Sequence, residues 1–171
     1  MTSLELLFPA GSLAYLEVAF RLLLALFLAG LLGWDRESKD RPAGLRTYML
    51  VSLAAAVFTV LTFEIYETTG GRSANSDPIR IIEAVTAGVA FLAAGTIIQG
   101  RDSVRGLTTG AGMWMAGALG VAAGGGHYAL AIIAAVLSFA ILRFVHLLQA
   151  APAKASGPTL IDESEEGEGS G

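Results

Sequence analysis

Residues 12–33 read SLAYLEVAFRLLLALFLAGLLG, with Glu17 and Arg21 as the charged side chains. A helix crosses a bilayer with about 20 apolar residues, so this stretch reads as a membrane span. Four more stretches follow it. Residues 45–66 are cleanest between Met49 and Phe63. Ile79–Ile98 carries Arg80 and Glu83 near its start. Val104–Ala123 is interrupted by Gly106, Gly110, Gly112, Gly117 and Gly120. His127–Gln149 has Arg143 near its end. The expected fold is an all-α integral membrane protein, a compact bundle of five transmembrane helices with short connections.

Composition agrees. The 171 residues are 54% hydrophobic and 15% charged, whereas a soluble domain carries roughly 25% charge. The net charge is -4, and five of the fifteen acids fall in the last ten residues. The rest is nearly neutral, without the basic stripe of a nucleic-acid binder. The absence of cysteine excludes disulfides, zinc–thiolate sites and thiol nucleophiles. His127 and His146 are too far apart in sequence to suggest a histidine metal cluster. No Ser, His and acid form an evident nucleophilic arrangement, so no catalytic residue and no enzymatic activity are expected.

Lys and Arg set the orientation. Arg36, Lys39, Arg41 and Arg46, then Arg101 and Arg105, then Arg143 and Lys154 fall on one side. The other side holds Arg72 and Arg80. Alternation over five spans puts the N-terminus outside and the C-terminus in the cytoplasm. Nothing basic precedes Arg21, so the first apolar run reads as a retained span rather than a signal peptide. Residues 1–11 are then an extracytoplasmic segment and 12–150 the membrane domain. Residues 151–171, rich in Pro, Gly, Ser and Glu, read as a disordered acidic cytoplasmic tail.

Two charged clusters emerge. Glu17 and Arg21 share a helix face, and Asp77, Arg80 and Glu83 belong to the same outer half. Arg21 is expected to pair with Glu17 or Glu83. This cluster is either an ion-pair network that orients helices or a vestibule for a solute. Asp77 and Glu83 are the carboxylates a magnesium ion would use, although the nearby arginines oppose a dedicated cation site. No other cofactor is indicated. The second cluster is Asp35, Arg36, Glu37, Arg46 and Arg105 at the cytoplasmic face, with Arg46 expected to pair with Asp35 or Glu37. It reads as headgroup anchoring, or as a gate, latch or docking surface. Small residues on the third and fourth stretches suit close helix packing or a pore lining. Thr108 and Thr109 offer hydroxyls to helix carbonyls or to a neighbouring helix. Trp34, Tyr48, Tyr66 and Tyr128 read as interfacial aromatics.

Four motifs then occur in order. The first is Arg21–Leu22, Ala25 and Gly33–Trp34–Asp35–Arg36–Glu37. The second is Pro42–Ala43–Gly44–Leu45–Arg46–Thr47 with Met49–Leu50–Val51. The third is Asp77–Pro78–Ile79–Arg80 with Gly88, Phe91–Leu92 and Ala94–Gly95. The fourth is Ser103–Val104–Arg105–Gly106–Leu107–Thr108–Thr109 with Trp114. Together they resemble the N-terminal membrane domain of the MgtC/SapB family. The chain departs from the family pattern at Ala29 and Ala93, where glycine is usual, and at Gly110, where alanine is. Asp35 replaces a usual glutamate and Tyr48 a usual histidine. Glu83 is outside the usual motif positions. The acidic tail stands where some relatives carry a soluble C-terminal module.

The resemblance implies a multi-pass protein of the bacterial inner membrane, linked to magnesium limitation or stress adaptation. It implies a regulatory role through another integral membrane protein, such as the membrane sector of the ATP synthase. The alternative is a transporter or channel for magnesium or another small solute, with the pathway built in a homodimer. Lipid and a second copy of the chain are the other expected partners.

Overall fold

The computed structural model describes residues 12–68, 79–100 and 103–149. The expected N-terminal segment 1–11, the tail 151–171 and Asp77 lie outside the described residues. Five helices form: α1 (Ser12–Glu37), α2 (Leu45–Thr68), α3 (Ile79–Gly95), α4 (Leu107–Gly124) and α5 (Tyr128–Gln149). Between α3 and α4, β1 (Ile98–Gln99) pairs antiparallel with β2 (Val104–Arg105), Ile98 opposite Arg105 and Gln99 opposite Val104.

Local chemistry explains the ends. After α1, the Arg41 N–H donates to the Arg36 carbonyl at 3.2 Å and the Asp40 N–H to the Glu37 carbonyl at 3.0 Å. This is a Schellman closure, with Asp40 at φ 51 in the left-handed position that Asp tolerates better than most residues. The Glu37 carboxylate then accepts the Leu45 N–H at 2.7 Å, so the end of α1 caps the start of α2. Gly106, at φ 89, turns the chain from β2 into α4. A Cβ there would overlap the Thr96 carbonyl oxygen.

The helices correct the five-span expectation. Among the described residues, two helical stretches are long and apolar enough to cross a membrane, Tyr15–Glu37 and Leu45–Thr68. Residues 96–98 and 104–106, counted towards the third and fourth spans, belong instead to a turn, the β1–β2 ladder and Gly106. That leaves α3 with 17 residues, about 25 Å long against a hydrocarbon core of about 30 Å. The helix α4 keeps 18 residues, diluted by five glycines and two threonines. The apolar stretch of α5, Tyr128–Phe144, also falls short. The orientation obtained by alternation over five spans falls with the span count.

Helix α4 is the centre of the molecule and touches the other four helices. Glycines bring it close. A Cβ on Gly120 would overlap the Ser52 carbonyl oxygen, and one on Gly112 the Tyr48 hydroxyl. Gly33 lets α1 cross against Leu45 and Tyr48. The interior is built of small side chains, with Ala25, Ala29, Ala56, Ala116 and Ala123 fully buried. The buried hydroxyls of Ser52 and Thr59 are spent on backbone carbonyls. Ser52 Oγ donates to the Ala25 carbonyl at 3.1 Å and Thr59 Oγ1 to the Ala55 carbonyl at 2.7 Å. The large apolar side chains point outward instead, among them Phe20, Leu23, Phe27, Phe91, Ile133 and Phe144. Such a surface suits lipid and not water.

Candidate functional site

The two ends of α4 carry the charge. At its C-terminal end, Arg21 Nη1 donates to the Gly124 carbonyl at 3.1 Å. A cation beside a helix C-terminus completes an orphan carbonyl and meets the negative end of the dipole. Arg21 Nη2 pairs with Glu17 one turn earlier on α1. The Tyr128 hydroxyl reaches the same carboxylate at 3.5 Å, and its ring stands edge-on to Phe20 with centroids 5.3 Å apart. Of the two expected partners of Arg21, the structure thus brings Glu17. Arg80 and Glu83 are exposed on α3 and form no ion pair among the described residues.

At the other end, Asp35 is the hub. Its carboxylate accepts Arg36 Nη2 at 2.8 Å, and Lys39 Nζ at 2.8 and 2.9 Å. Arg143 Nη1 from α5 stands 3.9 Å away. Asp35 and Arg36 are each only 5% exposed. Arg46 is exposed and takes no part. Glu37, one of its two expected partners, caps α2 instead. Arg105 is exposed on β2 and lines a cavity of about 550 Å³ with Arg36, Asp40, Arg41, Thr108 and Thr109.

The remaining expected residues divide. Thr109 is buried, and its carbonyl accepts the Tyr48 hydroxyl at 3.2 Å. Tyr48 is thus an interior residue rather than the expected interfacial aromatic, fully buried where α2 crosses α4. Thr108 and Trp114 are exposed. Gly44 packs on the Glu37 side chain, whereas a Cβ on Gly88 or Gly95 would meet nothing within 4 Å. No group of three or more His, Asp or Glu among the described residues is placed to hold a metal ion.

Residues 22–151 match the MgtC family. The chain belongs to the MgtC family. Membership covers most of its length. MgtC of Brucella abortus strain 2308 is 38% identical over 117 residues, which are 68% of this chain and 46% of that protein. SrpB of Synechococcus elongatus is 38% identical over 133 residues, 73% of this chain and 71% of that protein. YhiD of Escherichia coli strain K12, whose name proposes a magnesium transporter, is 33% identical over 133 residues, 77% of this chain and 62% of YhiD. The chain therefore spans less than two thirds of YhiD and less than half of Brucella MgtC. No solved structure matches. Family membership and the two candidate spanning helices support a multi-pass inner-membrane location.

Within this MgtC-family chain, the sequence reading missed Lys39 and Arg143 as partners of Asp35. Lys39 was available from its i,i+4 spacing to Asp35. Arg143 was not, because only the packing of α5 brings it to α1. The Gly124 carbonyl as the acceptor for Arg21 was likewise invisible, since a backbone atom leaves no mark in composition.

Proposed function

We propose that this MgtC-family protein is a regulator that acts by contact with another integral membrane protein during growth at low magnesium. The closed interior of the described helices carries this reading. Between α2 and α4, backbone meets glycine at Gly120 and Gly124, and the charged groups are held at the two ends of α4. A transporter needs a polar path between such ends, and here buried alanines, leucines and Tyr48 fill the space, with the Ser52 and Thr59 hydroxyls spent on backbone carbonyls. Magnesium enters through the family resemblance and through the name of YhiD, which is evidence about YhiD.

A contact surface is available on α3. Its junction with α2 holds an apolar gap of about 380 Å³, lined by residues such as Ala54, Ala84 and Gly88. Small residues let a neighbouring membrane helix approach closely. A photo-crosslinking amino acid at Ala84 should capture one defined membrane protein in cells grown at low magnesium. Gly88→Trp should remove both that adduct and growth support while leaving the amount of protein unchanged. Adducts to lipid alone, with Gly88→Trp cells growing normally, would count against the proposal. An adduct only to a second copy of this chain would replace the partner with a homodimer.

A further inference from the structure

Helix α4 has arginine at both ends, and only one end suits it. At the C-terminus Arg21 meets a carbonyl. At the N-terminus, Arg36, Arg41 and Arg105 line a cavity with the first turn of α4, where Thr108 and Thr109 sit. That end of a helix is already positive, because its first N–H groups lack intrahelical acceptors. Gly106 at the N-cap supplies no side-chain bond to them. Three guanidinium groups there, against Asp40 as the one carboxylate among the described residues that line the cavity, set positive charge beside the positive end of the helix. Asp35 offsets Arg36 and Lys39, but it does not line the cavity.

A second observation is independent of the helix end. Arg36 is only 5% exposed, and its Nε is buried without a hydrogen-bond partner among the described residues. An unmet charged donor is unfavourable in a packed interior. We propose that this cavity binds a phosphate-type oxyanion. Arg36 supplies a donor held in place by Asp35, and Arg41 and Arg105 close on the anion from the turn after α1 and from β2. The first-turn N–H groups and the Thr108 hydroxyl complete the donor set. Guanidinium forks match tetrahedral oxyanions in geometry as well as charge. A phosphate of this kind comes either free in solution or on a lipid headgroup, and the volume of about 550 Å³ admits both.

The test uses the full chain in nanodiscs. Inorganic phosphate is titrated at constant ionic strength in phosphatidylcholine discs, with thermal stabilisation as the readout. Native mass spectrometry compares retention of phosphatidylglycerol with that of phosphatidylcholine. Arg41→Gln and Arg105→Gln change exposed side chains, and Arg46→Gln is the control outside the cavity. Removing a charged donor should weaken binding by about tenfold or more. Saturable phosphate binding, weakened in the two cavity variants and kept in the control, supports a free-phosphate site. Selective retention of phosphatidylglycerol with the same variant pattern supports a headgroup site. Binding of neither probe overturns the proposal, and so does equal loss in Arg46→Gln, which would mark general surface charge. Arg36→Gln should abolish binding, but it also breaks the Asp35 pair, so the conclusion rests on the exposed variants.

Discussion

Arg21 and Asp35 hold opposite ends of the bundle by different means. Arg21 bonds a carbonyl on α4, while its Glu17 partner is more than half exposed on its side chain. Exposed ion pairs contribute little. Arg21→Ala should therefore destabilise the protein by about 1.5–3 kcal/mol, the range for a hydrogen bond to a charged group. Glu17→Gln should change the midpoint of thermal unfolding far less. Equal losses in the two variants would show that the ion pair, and not the Gly124 carbonyl, matters. Asp35 has a 4% exposed side chain and serves Arg36 and Lys39. Asp35→Asn leaves Arg36 buried without its counter-charge, and the loss should be about 3–5 kcal/mol. Thermal unfolding of the purified variant in lipid checks this. An unfolding midpoint like that of the wild type would remove Asp35 as the hub.

At the scale of elements, α4 depends on what its glycines admit. Gly120→Ala would drive a methyl group into the Ser52 backbone carbonyl. Backbone yields poorly, so α2 and α4 must separate, and overpacking of this kind costs about 1–3 kcal/mol. Gly88→Ala meets open space on α3 and should be neutral or stabilising by up to about 1 kcal/mol, because alanine is the better helix former. A thermal series of the two variants tests the contrast, and a Gly120→Ala protein as stable as Gly88→Ala would refute the close crossing. The same contrast shows what the sequence exposes. Small residues on α3 and α4 look alike in a sequence. Only the packing tells Gly112, Gly117, Gly120 and Gly124, which touch neighbours, from Gly88 and Gly95, which do not.

Over the whole molecule, the five helices were legible because apolar runs and glycine turns mark them, and the family motifs added the charged positions. The number of spans was not legible. Hydropathy counts residues without direction, so residues 96–98 and 104–106 passed as helix ends although they belong to a turn, a ladder and Gly106 at φ 89. Tyr48 was misplaced for a similar reason. Helix α2 is apolar on every side, so its pattern does not reveal which face is buried. The clusters divided because their partners differ in sequence distance. Glu17 with Arg21, and Lys39 with Asp35, are four apart, while Arg143 and the Gly124 carbonyl arrive only through packing.

A protein that works by contact, with a closed interior, should carry no ion across the membrane. Magnesium entry into proteoliposomes, followed with a trapped magnesium-sensitive dye, tests this most directly. The protein must first show wild-type thermal unfolding in the same lipid. Entry is expected at the rate of protein-free liposomes across a wide range of magnesium concentration. Saturable entry that rises with protein content would contradict it.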